Sequence, residues 1–164
     1  MTTDGNKPRP PVVPREHKPV WMAVAEAEGG VRELPGAATN PQITEYYRAT
    51  TLGGTPEDST TPWCASFVCW VLEHAGYRST RRANARSYLD YGEAVDEPRY
   101  GDLVVLWRDE PKGTKGHVGF YGGRHGRDKL WIWGGNQANG VCWALYGLGR
   151  VLAYRRPTDA ERKQ

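Results

Sequence analysis

Cys64 is the residue best placed to act as a nucleophile, because it stands where the sequence opens a helix, in Thr61-Pro62-Trp63-Cys64-Ala65-Ser66-Phe67-Val68. Threonine is a good N-cap and proline is favoured at the first helical position. Thr61 is therefore expected at the cap and Cys64 within the first turn. Backbone N–H groups of a first turn carry partial positive charge, which stabilises a thiolate. A sulfur so placed has the electrostatics of a nucleophile. Free cysteine is more commonly a small buried hydrophobe, so the assignment depends on what the rest of the chain brings to it.

A nucleophilic thiolate needs a base, and the base needs a group that orients it. Four histidines are available. His17 lies in a proline-rich segment. His74 follows Cys64 by ten residues, about 15 Å of helix, where it complements the negative end of the dipole. His125 sits in Gly122-Gly123-Arg124-His125-Gly126-Arg127, a hairpin turn expected to face solvent. His117 starts a strand directly after Lys115-Gly116, where its ring can project from the sheet edge over a packed helix. The next strand ends in Trp133-Gly134-Gly135-Asn136-Gln137, and an amide there can accept from an imidazole N–H and hold the ring toward sulfur. Alternate strand residues face opposite ways, so only one of Asn136 and Gln137 can readily face His117.

The elements that must position these groups change in kind along the chain. Residues 1–18 are polar and proline-rich and read as a flexible or extended arm. Val20 to Ala27 reads as a helix ending at Gly29-Gly30, and Asn40-Pro41 opens a second, with Asn40 as cap. The cysteine helix continues its apolar face through Val68, Val71, Leu72 and Ala75 and stops at Gly76. A short helix is expected from about Ala83 to Tyr91. After Tyr100 the period becomes extended: 103–107, 117–121, 129–133, 141–146 and 151–154 read as strands separated by turn residues. Helices first and an antiparallel sheet second make an α+β arrangement, one domain over 19–157 with a polar tail at 158–164.

Composition narrows the function classes. A formal charge of +3 is enough to help the protein find an anionic surface such as a bacterial cell wall. It is too weak to argue for nucleic acid. No apolar stretch approaches the roughly 20 residues that span a membrane, so stable membrane insertion is not expected. The N-terminus lacks the apolar core of a secretory signal, which implies synthesis in the cytoplasm and action on the wall after release or injection. Three cysteines, Cys64, Cys69 and Cys142, leave at least one thiol free, and the C-x4-C spacing of the first two makes no zinc site. Seven tryptophans and nine tyrosines suit stacking on sugars or lining an extended groove.

Helix-borne cysteine, strand histidine and a polar residue on the next strand occur in an order that resembles the papain-like peptidoglycan hydrolases of the CHAP and NlpC type. The resemblance extends to a subgroup common in phage endolysins. It is carried by Glu33-Leu34-Pro35-Gly36 with Asn40-Pro41, the Cys64 stretch, and Ala85-Arg86-Ser87-Tyr88-Leu89. Gly101-Asp102-Leu103-Val104-Val105-Leu106, Gly116-His117-Val118-Gly119-Phe120-Tyr121 and Gly134-Gly135-Asn136-Gln137 continue it, so that it covers about residues 20–157. The resemblance implies a papain-like α+β fold, with Cys64 as nucleophile, His117 as general base and Asn136 as orienting residue. Trp63, Trp107 and Gln137 are expected to contact substrate. Glu33 is expected to cap a helix or wall the groove. Where many family members carry an acid or a second histidine as third residue, this chain offers only amides. The implied activity is amide hydrolysis in peptidoglycan by a monomer with no metal or cofactor, in a lysin. The alternatives are an injected antibacterial amidase, or an inactive wall-binding or virion protein.

Overall fold

The computed structural model describes residues 7–53, 56–58 and 60–164. Three α-helices come first: α1 (Val20–Ala27), α2 (Pro41–Arg48) and α3 (Cys64–His74). A 3-10 turn at Ala85–Asp90 replaces the expected short helix. Six strands follow: β1 (Glu93–Ala94), β2 (Leu103–Trp107), β3 (Gly116–His125), β4 (Lys129–Gln137), β5 (Gly140–Gly147) and β6 (Val151–Arg156). All pairings are antiparallel, in the order β1-β6-β2-β3-β4-β5. The α+β reading therefore holds, with the cysteine helix packed on β3 and β4 of the sheet. The five strands read from sequence are present, four of them longer at their ends. The two-residue β1 has no apolar pattern to announce it.

The connection between β5 and β6 shapes the sheet. These strands lie four places apart, about 19 Å in a flat sheet at ~4.8 Å per strand. Only Leu148–Arg150 joins them, and the four steps from Gly147 to Val151 reach about 14 Å at most. The sheet must curl to close that gap. Curling separates two apolar clusters. The larger lies between helices and sheet and holds Met22, Phe67, Val68, Leu72, Val105, Val118 and Phe120. The smaller, on the other face, holds Val104, Leu106, Leu130 and Ile132 under the partly buried Tyr146 and Tyr154. A bidentate pair from Arg156 to Asp102, at 2.8 and 2.7 Å, ties the entry of β2 to the end of β6.

The local signals around the helices explain their ends. Asn40 caps α2 as expected, its side chain accepting from the Gln42 N–H at 2.9 Å. α3 departs from expectation: Trp63, not Thr61, is its N-cap residue, and Cys64 is its first helical residue. Pro62 therefore precedes the helix, and Thr61 serves instead through its carbonyl, which accepts from the Tyr47 hydroxyl at 3.3 Å. The tail at 158–164 is pinned to the far end of α3, where the Lys163 N–H donates to Gly76 O at 2.8 Å and Arg162 bridges Tyr77. Residues 1–6 of the expected arm lie outside the described residues. Its later part contacts the sheet, with Pro11 beside Gly123.

α3 comes unusually close to β4 at Gly135. A Cβ there would stand 2.6 Å from the Trp63 ring and 2.8 Å from Phe67 Cβ. Gly135→Ala must push the start of α3 off the sheet. We expect it to lower stability by about 1–3 kcal/mol, measured by denaturant unfolding. An unchanged unfolding midpoint would show that the close approach is not a constraint.

Candidate active site

The geometry of the site starts from the amide of Gln137. Its Nε2 donates to Ile132 O at 3.1 Å and to Cys142 O at 2.7 Å, so both amide protons are taken by backbone carbonyls. Only Oε1 remains for the 2.8 Å contact with His117 Nε2. An oxygen accepts only, so His117 Nε2 carries a proton and donates it. By elimination Nδ1 is the nitrogen that makes the side-chain hydrogen bond between His117 and Cys64. The network thus fixes the histidine tautomer in the form that can take a proton from the thiol.

Cys64, His117 and Gln137 are 4%, 7% and 3% exposed, so this polar chain is shielded from bulk water. Burial pushes the Cys64 thiol up. The charge and hydrogen bond of His117, with the backbone N–H groups of Val118 and Ala65, more than offset it, and the thiol lies below its ordinary value. The lowered thiol yields a thiolate more readily than an ordinary cysteine. Tyr146 stacks on the His117 ring, with centroids 5.0 Å apart and planes 23° from parallel. Its hydroxyl donates to Gln137 Oε1 at 3.2 Å. Burial, then the neighbouring Cys64, raise the Tyr146 hydroxyl far above its usual range and keep it a donor.

The expected residues do not all fall where the sequence put them. Cys64 and His117 come together. Asn136 is corrected as the partner of the histidine, because Gln137 makes that hydrogen bond. A register shift between Gly134 and Gln137 breaks the strand alternation here, and Asn136 takes φ 58°, outside the extended region. Gln137 is also corrected as a substrate contact: it is buried behind the histidine. Trp63 is fully buried, stacked on Tyr46, with its indole N–H donating to Glu33 Oε1 at 2.8 Å, so it supports the start of α3 and cannot touch substrate. Glu33 thus anchors Trp63. Trp107 is half-buried; Arg150 lies over both its ring and that of Tyr146, at 5.9 and 5.6 Å. His74 bonds to Trp70 O within its own helix and His125 lies at the β3–β4 hairpin. Tyr146 was missed, since nothing in a strand pattern distinguishes it from the other tyrosines.

On the open side of Cys64 lies a cavity of about 310 Å³, with Pro62 and Ala85 in its walls and Arg108 and Lys115 at the β2–β3 connection. A helix start bearing a low-pKa thiol, a strand histidine of fixed tautomer and an amide behind it form a constellation suited to covalent acyl transfer. Residues 56–136 match the CHAP domain. That match falls on the stretch that carries the cysteine and histidine motifs. The matched stretch includes Cys64 and His117 and ends one residue before Gln137. Among solved structures the chain is similar to a lipoprotein-like protein of the NLP/P60 family from Staphylococcus aureus subsp. aureus Mu50. Identity is 19% and the TM-score 0.45, over 96% of this chain and 45% of that one. The chain therefore spans less than half the length of that protein. No curated protein matches it.

Two measurements check this geometry. Burial holds the Cys142 thiol above its ordinary value despite the opposing pull of Gln137 and Arg32, whereas Cys64 lies below. Iodoacetamide labelling followed by peptide mass spectrometry should therefore give a midpoint for Cys64 below the ordinary ~8.5 and one for Cys142 above it. In His117→Ala burial is left with less opposition, and the Cys64 midpoint should move up; an unmoved midpoint would refute the pairing. Separately, Gln137→Ala should cost on the order of 10²-fold or more in turnover through loss of the correct tautomer, while Asn136→Ala costs less than about threefold. The reverse order would return the orienting role to Asn136.

Proposed function

We propose that the protein is a cysteine-dependent peptidoglycan hydrolase that cuts an amide bond of the bacterial cell wall. We further propose that it serves as a phage or prophage lysin made in the cytoplasm and released onto the wall. The observation that carries the enzymatic reading is the buried chain Cys64–His117–Gln137, with the thiol lowered by the histidine. In this reading Cys64 Sγ attacks the scissile carbonyl carbon as its proton resides on His117 Nδ1. The tetrahedral oxyanion is held by the backbone N–H groups of the α3 start, which have no intrahelical acceptor. Collapse expels the amine, which takes the proton from His117, and leaves a thioester on Cys64. His117 then accepts a proton from water, whose oxygen attacks the thioester, and the proton returns to the departing sulfur.

Gln137 remains uncharged throughout. It stabilises the imidazolium by accepting from Nε2, without the proton affinity of a carboxylate. The positive charge of the chain favours approach to the anionic wall.

Purified sacculi incubated with the protein test the reading, with mass spectrometry of the released fragments to identify the bond cut. We expect soluble fragments with new amine and carboxylate ends. Cys64→Ala should lose at least ~10³-fold in rate. Cys69→Ser should retain the activity, because Cys69 lies in the core against the Tyr88 hydroxyl at 3.0 Å. Release at the native rate by Cys64→Ala would overturn the mechanism, and intact sacculi after prolonged digestion would overturn the function.

A further inference from the structure

We propose that the cavity beside Cys64 is an anion subsite in which Arg108 binds a carboxylate of the substrate peptide near the scissile amide. The inference rests on the hydrolase reading and names the substrate feature that the site selects. The cavity has an apolar lining from Leu52, Pro62, Ala83 and Ala85, and its charged lining residues are Arg108 and Lys115. Among the described residues no carboxylate lines it. The two cations are not equivalent. Lys115 Nζ lies 3.2 Å from Asp109, which neutralises it in part. The Arg108 guanidinium has no acidic partner among the described residues and is the charge left for a ligand.

The backbone that carries Arg108 is held in place. Its N–H donates to Lys115 O at 3.2 Å, closing the β2–β3 connection. Arg86 reaches across from the 3-10 turn and donates to Lys115 O at 3.0 and 2.8 Å, to Pro111 O at 3.0 Å and to Glu110 O at 3.0 Å. One guanidinium thus clamps both limbs of the loop, one residue away from the strand that bears His117. A cation held on a clamped loop reduces the ordering that binding must impose. Arginine offers a planar fork that matches a carboxylate in two parallel hydrogen bonds. An apolar lining with that fork at its rim fits a short aliphatic side chain and an adjoining carboxylate. The stem peptides of peptidoglycan carry both groups. A free amine would meet only like charge here.

The test uses two soluble muramoyl stem peptides that differ at one group, the glutamyl α-carboxylate being free in one and a carboxamide in the other. The full chain should show a kcat/KM about tenfold higher on the carboxylate peptide, in keeping with a charge-assisted pair at an accessible site. The ratio should shrink as salt is raised. Arg108→Gln should bring the ratio to about one, and Arg108→Glu should take it below one. Lys129→Gln removes the same charge from the exposed start of β4 and should leave the ratio at about ten. Equal rates on the two peptides for the native chain, or a ratio unchanged in Arg108→Gln, overturn the inference while the hydrolase reading stands. Cleavage of sacculi but of neither peptide also counts against it. No cleavage of peptides or sacculi overturns both.

Discussion

The approach of the α3 start to the curled sheet is the constraint on which the site depends. A cysteine side chain is one carbon and a sulfur, so the thiol has little reach of its own; the start of the helix must arrive at β3 for the thiol to meet His117 and the Val118 N–H. Gly135 permits that arrival, because Trp63 and Phe67 fill the space where a Cβ would stand. Glu33 then fixes Trp63 from the outside through the indole N–H. The loop after α1 and the end of β4 thereby converge on the residue that caps the nucleophile helix. Curling of the sheet, forced by the short β5–β6 link, brings Tyr146 from the edge strand over the histidine.

Burying a thiolate–imidazolium pair is costly unless its hydrogen bonds are complete. Here they come mainly from backbone groups and neutral side chains. Two N–H groups and the imidazolium face the sulfur, and the amide of Gln137 and the ring of Tyr146 face the imidazolium. A carboxylate in place of Gln137 would attract the proton on Nε2 more strongly and place a second negative charge in the buried site. A neutral amide keeps the histidine's orientation with a weaker pull, while the sulfur itself supplies the negative partner. The site therefore places its one strong charge interaction at the reacting atoms.

Much of this was legible in the sequence, where local chemistry announces itself. A proline and a threonine before a run of small and apolar residues mark a helix start, and a histidine after glycine at the head of an extended run marks a strand start. The helix starts two residues later than the sequence suggests, because Thr61 has the composition of a cap while its side chain is not used as one. Trp63 reads as a groove aromatic because nothing in its sequence neighbours reveals Glu33 and Tyr46, brought in from α2 and the loop before it. Tyr146 and the clamp by Arg86 were invisible for the same reason. Each depends on strands or loops that meet only when the sheet closes.

Asn136 and Gln137 show the limit most clearly. Alternation along a strand says that one of the two faces the histidine, but it cannot say which when the strand is irregular between them. Asn136 takes the left-handed conformation that asparagine tolerates better than most residues, and Ala138 and Asn139 make the tight turn to β5 with positive φ at both positions. The irregularity thus spends asparagine on the backbone and leaves glutamine for the histidine. The extra methylene has a structural use. The Gln137 side chain folds back over Gly134, whose absent Cβ would stand 2.8 Å from Oε1, and so reaches carbonyls on both β4 and β5 while still meeting the imidazole. An amide one carbon shorter, starting from the same backbone, cannot span those three partners. The third residue of this site is therefore set by the hairpin that carries it as much as by the histidine it serves.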